Sequence, residues 1–188
     1  VAQRTFNRIV VDGDTSTNDS VFVLANGASG MPRLRPGSKA AGALREALEA
    51  VMGRLATELV RDGEGATKLV EIQVTGARTE REAETVANSI ARSPLFKCAV
   101  YGGDPNWGRV LCAAGYAGVP LEPAKVRLWI GEVLLLDGGL PTGSDASAEM
   151  KAAEIRVRLD LGAGAQSCSV WTCDFSHEYV TINAEYHT

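Results

Sequence analysis

Apolar residues first recur at helical spacing between Lys39 and Arg61, where Ala41, Leu44, Leu48, Val51, Leu55 and Leu59 line one side and Arg45, Glu49, Arg54 and Glu58 take much of the other. This spacing predicts one long amphipathic helix, opened by Ser38 as N-cap, with the apolar stripe read as core. A change of period follows at once. From Lys68 to Gly76, Val70, Ile72 and Val74 alternate with polar residues, which predicts a half-buried strand. Thr79-Glu-Arg-Glu82 has the form of a capping box and opens a second helix running to Arg92, because Pro94 disfavours helical geometry at Ser93.

Shorter runs are more ambiguous. Arg8–Asp12 and Ser20–Ala25 are apolar enough for strand or buried helix, and period does not separate the two at this length. Phe96–Tyr101 reads as a strand, Val110–Tyr116 as a small helix and Lys125–Asp137 as a hairpin turning at Gly131-Glu132. Ser144–Ile155 reads as helix, and Arg156–Leu161, Gln166–Phe175 and Tyr179–Asn183 read as strands. The mixture predicts an α/β chain of the α+β type, with mixed sheets, packed helices and two lobes. A change of character near residues 93–100 puts the boundary between residues 1–95 and 96–188.

With 188 residues, 45% of them hydrophobic, the chain can bury a full core. A net charge of −4, 6% aromatic content and the lack of a basic block argue against a nucleic-acid partner. The longest apolar runs, such as Val133–Leu136, are too short to cross a bilayer, so no membrane partner is expected. The opening Val1-Ala-Gln-Arg-Thr-Phe has no Met and no apolar leader, and reads as the end of a helix. Processing, truncation or an unseen preceding stretch is expected from that start. Cys98, Cys112, Cys168 and Cys173 form no CxxC pair, and His177 and His187 sit near the end. No metal site is therefore expected. Cys168 and Cys173 fall on opposite faces of a strand, so the cysteines are read as buried free thiols of a cytoplasmic protein.

Three polar loops could carry chemistry. Asp62-Gly-Glu-Gly-Ala-Thr-Lys68 joins the long helix to the first clear strand and sets a single carboxylate, Glu64, between two glycines. That junction suits recognition of a small charged molecule, or is simply a helix cap followed by a solvated Glu. Gly13-Asp-Thr-Ser-Thr-Asn-Asp19 matches neither a calcium loop nor a phosphate loop, and reads as a network of side-chain-to-backbone bonds or a scaffold for a neighbouring site. In Gly102-Gly-Asp-Pro-Asn-Trp-Gly-Arg109, Arg109 could clamp a carboxylate or pair with Asp104 and hold the loop.

Together, Asp12–Asp19, Asp62–Lys68, Gly103–Arg109, Cys173-Asp174 and the tail Ile182-Asn-Ala-Glu-Tyr-His-Thr188 resemble the β chain of the ornithine acetyltransferase (glutamate N-acetyltransferase) family of arginine biosynthesis. The resemblance runs through essentially the whole chain. It implies an N-terminal-nucleophile-like architecture and a precursor that cuts itself before a threonine. That threonine takes the acetyl group from N-acetyl-L-ornithine and passes it to L-glutamate through an acyl-enzyme, its own amine serving as base. The resemblance places the nucleophile about fifteen to twenty residues before Val1, within reach of a chain terminus. Thr5, Thr15 and Thr17 do not occupy that position. Oxyanion donors are expected on the companion α chain, so this chain alone is expected to be inert.

The resemblance assigns substrate binding to Glu64, Asn183 and Thr188, with Asp19, Lys68 and Arg109 in support. It implies an α2β2 assembly and no resident cofactor, with acetyl-CoA a co-substrate in members that also make N-acetylglutamate from it. A related self-cleaving aminopeptidase or amidase, a paralogue in a secondary pathway, and a non-catalytic binding domain are the alternatives.

Overall fold

The computed structural model describes residues Val1–Glu185. Seven strands form one mixed sheet in the order β1-β7-β2-β6-β3-β4-β5. Its strands are β1 (Ile9–Val10), β2 (Leu69–Ala77), β3 (Arg127–Ile130), β4 (Val133–Asp137), β5 (Leu140–Pro141), β6 (Glu154–Asp160) and β7 (Gln166–Cys173). The helices are α1 (Lys39–Arg61), α2 (Glu80–Ala91), α3 (Pro94–Gly102), α4 (Trp107–Gly115) and α5 (His177–Glu185). The sheet draws strands from both sides of residue 95. β2 pairs parallel with β6 and antiparallel with β7, with Leu69 opposite Cys173 at the end of the ladder.

The alternation read in β2 buries Val70, Ile72 and Val74 completely, and Val157, Leu159 and Val170 do the same on its neighbours. Helix α2 covers one face of the sheet with Ala83, Val86, Ala87 and Ile90, all fully buried. Thr79 caps it by accepting from the Glu82 N–H at 3.1 Å, while the Glu82 carboxylate reaches back to the Arg78 N–H at 3.2 Å. Cys168 belongs to this main core, whereas Cys173 lies in a smaller cluster with Val60 and Leu69. The two thiols thus face opposite ways, as their five-residue spacing requires. All four cysteines are free, but Cys98 and Cys112 are exposed rather than buried.

Helix α1 departs from the expected packing. Its buried residues are Ala56 and Val60. The stripe read as core is instead open to solvent, with Leu44 49%, Val51 58%, Leu55 52% and Leu59 46% exposed. The helix therefore has two apolar sides, and only the one made of small residues lies on the sheet. Val21, Phe22, Val23 and Leu24 are also exposed, and the Ser20–Ala25 run forms neither strand nor helix.

Three further expectations are corrected. Phe96–Tyr101 is helical, because Ser93 accepts from the Phe96 N–H and Pro94 occupies the first turn, so the proline that ends α2 also starts α3. Tyr179–Asn183 is helical as well. There the Ser176 hydroxyl accepts from the Tyr179 N–H at 3.2 Å and Phe175 stacks on Tyr179, outweighing the β-branched Val180, Thr181 and Ile182. Ser144–Ile155 contains only a short 3-10 turn at Glu149–Lys151 before β6 begins. Asp145 accepts from both the N–H and hydroxyl of Ser147, which competes with helical bonding. The hairpin at Gly131-Glu132 forms as read. No helix among the described residues is long and apolar enough to cross a membrane.

The uneven burial predicts uneven costs. Leu159→Ala, at a fully buried site, should destabilise the chain by about 2–5 kcal/mol. Leu55→Ala, on the open side of α1, should change stability by no more than about 0.5 kcal/mol. Urea unfolding of this chain measures both.

Candidate functional site

Glu64 stands on a loop whose shape is fixed from both ends. Helix α1 stops at Asp62, and the Ala66 N–H bonds back to the Gly63 carbonyl at 2.9 Å, closing a turn around Glu64 and Gly65. Gly65 has φ 66°, a conformation that favours glycine. Space imposes a second demand at this position. A Cβ there would collide with the Tyr179 backbone nitrogen and lie 2.9 Å from the Ser176 hydroxyl oxygen. The loop is therefore pressed directly onto the start of α5.

Polar contacts hold that junction. The Ser176 hydroxyl donates to the Gly65 carbonyl at 2.6 Å. The Asp174 carboxylate accepts from the backbone N–H groups of Thr67 and Lys68 at 2.8 and 2.9 Å, and from the Thr67 hydroxyl at 2.5 Å. One turn beyond Tyr179 on α5, Asn183 faces Glu64. Its amide nitrogen donates to Glu64 Oε2 at 2.9 Å and to the Tyr179 carbonyl at 2.9 Å. Only the NH2 end of an amide can face two acceptors, so this geometry also fixes which way the side chain points. No donor among the described residues meets Glu64 Oε1 or Asn183 Oδ1. The pair thus presents two acceptors, one of them on a carboxylate, to an exposed surface. Such a pair suits an ammonium group.

The Asp12–Asp19 loop reaches the same region through its first residue. The Tyr179 hydroxyl donates to Asp12 Oδ2 at 3.2 Å. Burial, and then the Asp12 carboxylate beside it, push the Tyr179 phenol above its ordinary pKa. The rest of the loop is a chain of local turns: the Asp14 N–H bonds to Asp12, and the N–H groups of Asn18 and Asp19 bond to the Ser16 hydroxyl. This is the side-chain-to-backbone network the composition suggested. The Asp19 side chain is exposed.

The other expected residues sit apart from the Glu64–Asn183 pair. The Lys68 ammonium donates to the carbonyls of Val100 and Met150, both at 2.8 Å, and ties β2 to the end of α3. Arg109 bonds neither Asp104 nor any other carboxylate among the described residues. Its guanidinium donates to the Leu95 carbonyl at 2.7 Å, and Asp104 instead accepts from Asn106 at 3.0 Å. Thr188 lies outside the described residues. A groove of about 340 Å³ between the first turn of the chain and α1 is lined by Thr5, Glu49, Gly53 and Trp171 among others, and by none of the expected site residues. No three His, Cys, Asp or Glu side chains among the described residues form a metal-binding set.

Four residues at this junction have no role that the sequence alone reveals: Asp12, Asp174, Ser176 and Tyr179. The Cys173-Asp174 motif marked the place, but not what it does. A usable signal was present: a carboxylate directly after a buried strand, followed two positions later by a capping serine.

Known proteins resemble this chain along its whole length. The ArgJ family model matches residues 1–188. The arginine biosynthesis bifunctional protein ArgJ of Symbiobacterium thermophilum is 47% identical over 188 residues, covering 98% of this chain and 47% of that protein. The chloroplastic ArgJ of Citrullus lanatus is 48% identical over 198 residues, covering 98% of this chain and 43% of its own length. The crystal structure of the ArgJ protein from Bacillus halodurans superposes with a TM-score of 0.94 at 42% identity, covering 98% of this chain and 89% of that one. The chain spans less than half the length of the two curated relatives.

Contact of the Gly65 turn with α5 has a measurable consequence. Gly65→Ala incurs both the left-handed backbone cost and the collision with Tyr179, whereas Gly118→Ala, at φ 78° with open space around it, incurs only the first. Denaturant unfolding should show Gly65→Ala as the more destabilising by at least about 1 kcal/mol.

The family match over residues 1–188, the identity to its relatives and the likeness to the solved structure lead to one assignment: this chain belongs to the ArgJ family.

Proposed function

We propose that the chain is the β subunit of a glutamate N-acetyltransferase that moves the acetyl group of N-acetyl-L-ornithine to L-glutamate in arginine biosynthesis. The observation that carries this reading is the Glu64–Asn183 contact, which joins residues 119 positions apart at an exposed surface. Both substrates of such a transfer are amino acids. Glu64 would hold their α-ammonium group through a charge-assisted bond, with Asn183 Oδ1 as second acceptor and Thr188 completing the set. The nucleophilic threonine lies upstream of Val1 in this reading and is freed when the precursor cuts itself. The acetyl group passes to its hydroxyl, the ornithine amine leaves, and glutamate takes the acetyl group in a second half-reaction. The companion α chain supplies the oxyanion donors. No resident cofactor is needed. The word bifunctional in the relatives' names supports a second reaction, N-acetylglutamate synthesis with acetyl-CoA as donor.

Support for an α chain comes from the surface. Leu44, Val51, Leu55 and Leu59 form an apolar stripe along the open side of α1, and Val21–Leu24 adds more. Exposed apolar area of this kind marks an interface. The relatives have more than half of their length outside the match, enough for a companion chain and an α2β2 assembly. Four free cysteines fit a reducing compartment, the cytoplasm in this reading.

Two measurements test the proposal on the protein made from the full-length gene. Glu64→Ala should raise KM for both N-acetylornithine and glutamate about ten- to a hundredfold, the worth of one hydrogen bond to a charged group, while the protein stays folded. Wild-type KM values in the folded variant would remove Glu64 from substrate binding. Leu55→Asp with Leu59→Asp should abolish co-purification of the α chain. A complex that survives both changes would show that this side of α1 is not the interface.

A further inference from the structure

Only two charged side chains among the described residues are buried, Lys97 and Asp174, and they meet at one short segment, residues 172–175, which Lys97 binds and Asp174 belongs to. Lys97 is fully buried on α3. Its Nζ donates to the Thr172 hydroxyl at 2.9 Å and to the Cys173 carbonyl, and its own backbone carbonyl accepts from the Phe175 N–H at 3.2 Å. Burial pushes its amine below the ordinary lysine pKa. Residues 172–175 are thereby fastened to α3 by both the side chain and the main chain of one residue.

Asp174 extends from that fastened segment in the other direction. It is 2% exposed, and its two oxygens accept three bonds from Thr67 and Lys68, with no lysine or arginine side chain bonded to it among the described residues. The β2–β7 ladder ends at Leu69 and Cys173, so Asp174 and Lys68 are the next residues on each strand. Beyond the ladder, a side chain takes over the backbone N–H groups that a strand would otherwise satisfy. Two residues further along, the Ser176 hydroxyl takes the Gly65 carbonyl. Glu64 directly precedes this bracket, joined to it through Gly65.

The exposed position of Glu64 and Asn183 gives the bracket its importance. Neither side chain is held by packing, so their separation depends on how the 62–68 loop and α5 are fixed to one another. Asp174 and Ser176 supply that connection. We propose that Asp174 is a positioning residue: through the backbone of Thr67 and Lys68 it sets where Glu64 stands relative to Asn183, and hence how an amino-acid substrate is held. This rests on the acetyl-transfer reading above. Asp174 itself touches neither Glu64 nor Asn183 and takes no part in the chemistry.

The test uses the two-chain enzyme from the full-length gene, with steady-state kinetics for both substrates and a thermal melt for each variant. Asp174→Asn keeps the shape but turns an NH2 group or a weaker carbonyl toward the Thr67 and Lys68 donors. It should raise KM for N-acetylornithine and for glutamate together, by about tenfold or more, with kcat changed by less than about threefold. Thr67→Val, which loses the hydroxyl bond to Asp174, should move KM the same way by a smaller factor, and Thr67→Ser should restore it. A folded Asp174→Asn enzyme with wild-type KM values overturns the proposal. If that variant does not fold, the threonine pair decides: Thr67→Val and Thr67→Ser with equal, wild-type KM values also overturn it. A wild-type enzyme without acetyl transfer overturns the functional reading, and this proposal with it. Wild-type activity with KM unmoved in the variants removes the positioning role alone.

Discussion

The pairing of β2 with β7 is the constraint on which the candidate site depends. Antiparallel register places Leu69 opposite Cys173, and so sets the residues just before one strand against those just after the other. Glu64 and Asn183 are far apart in sequence, yet each lies within about three turns of helix from this ladder end, a short span for a folded chain. Register in a sheet buried on one face is strongly specified, because a slip of one residue would turn Val70, Ile72 and Val74 out of the core. The hydrophobic effect that aligns the two strands therefore also aligns the polar groups beyond them.

The two faces of the sheet are finished differently. On one, α2 and its neighbours form a closed core with Val86, Ile90 and Val110. On the other, α1 contributes Ala56 and Val60 and leaves its larger leucines outside. Small residues allow a helix to lie close to a sheet but bury little area, so this side contributes less of the hydrophobic stabilisation. The polar junction of Asp174, Ser176 and Gly65 lies near the less finished face, at the foot of α1. In such a place directional bonds do what packing does elsewhere.

Most of the framework was legible in the residues. The helical period of Lys39–Arg61, the alternation of β2, the capping box at Thr79 and the turn at Gly131-Glu132 are local signals, and each produced the element it indicates. Two of the failures have a common cause. Phe96–Tyr101 and Tyr179–Asn183 are short apolar runs in which period is uninformative, and what decided them was the cap before each: Ser93 with Pro94, and Ser176. The exposed stripe of α1 misled for another reason. An apolar face says that something covers it, not whether the cover belongs to the same chain. At the site, Glu64 stood out locally between its glycines, but Asn183 drew notice only through the family resemblance. Asp174 could be named in a motif, but its role depends on a pairing that no local pattern reveals.

The place of β7 in the sheet also bears on how the protein is born. Of the strands described it comes last in the sequence, yet it lies between β1 (Ile9–Val10) and β2. Until Gln166–Cys173 has been synthesised, those two earlier strands have no partner between them, and their unpaired edges are open to other chains. A nascent polypeptide of this design cannot finish its sheet until β7 has emerged. The strands already made wait, exposed, for a partner that comes about ninety residues after β2, the kind of late non-local pairing that leaves a folding chain open to aggregation.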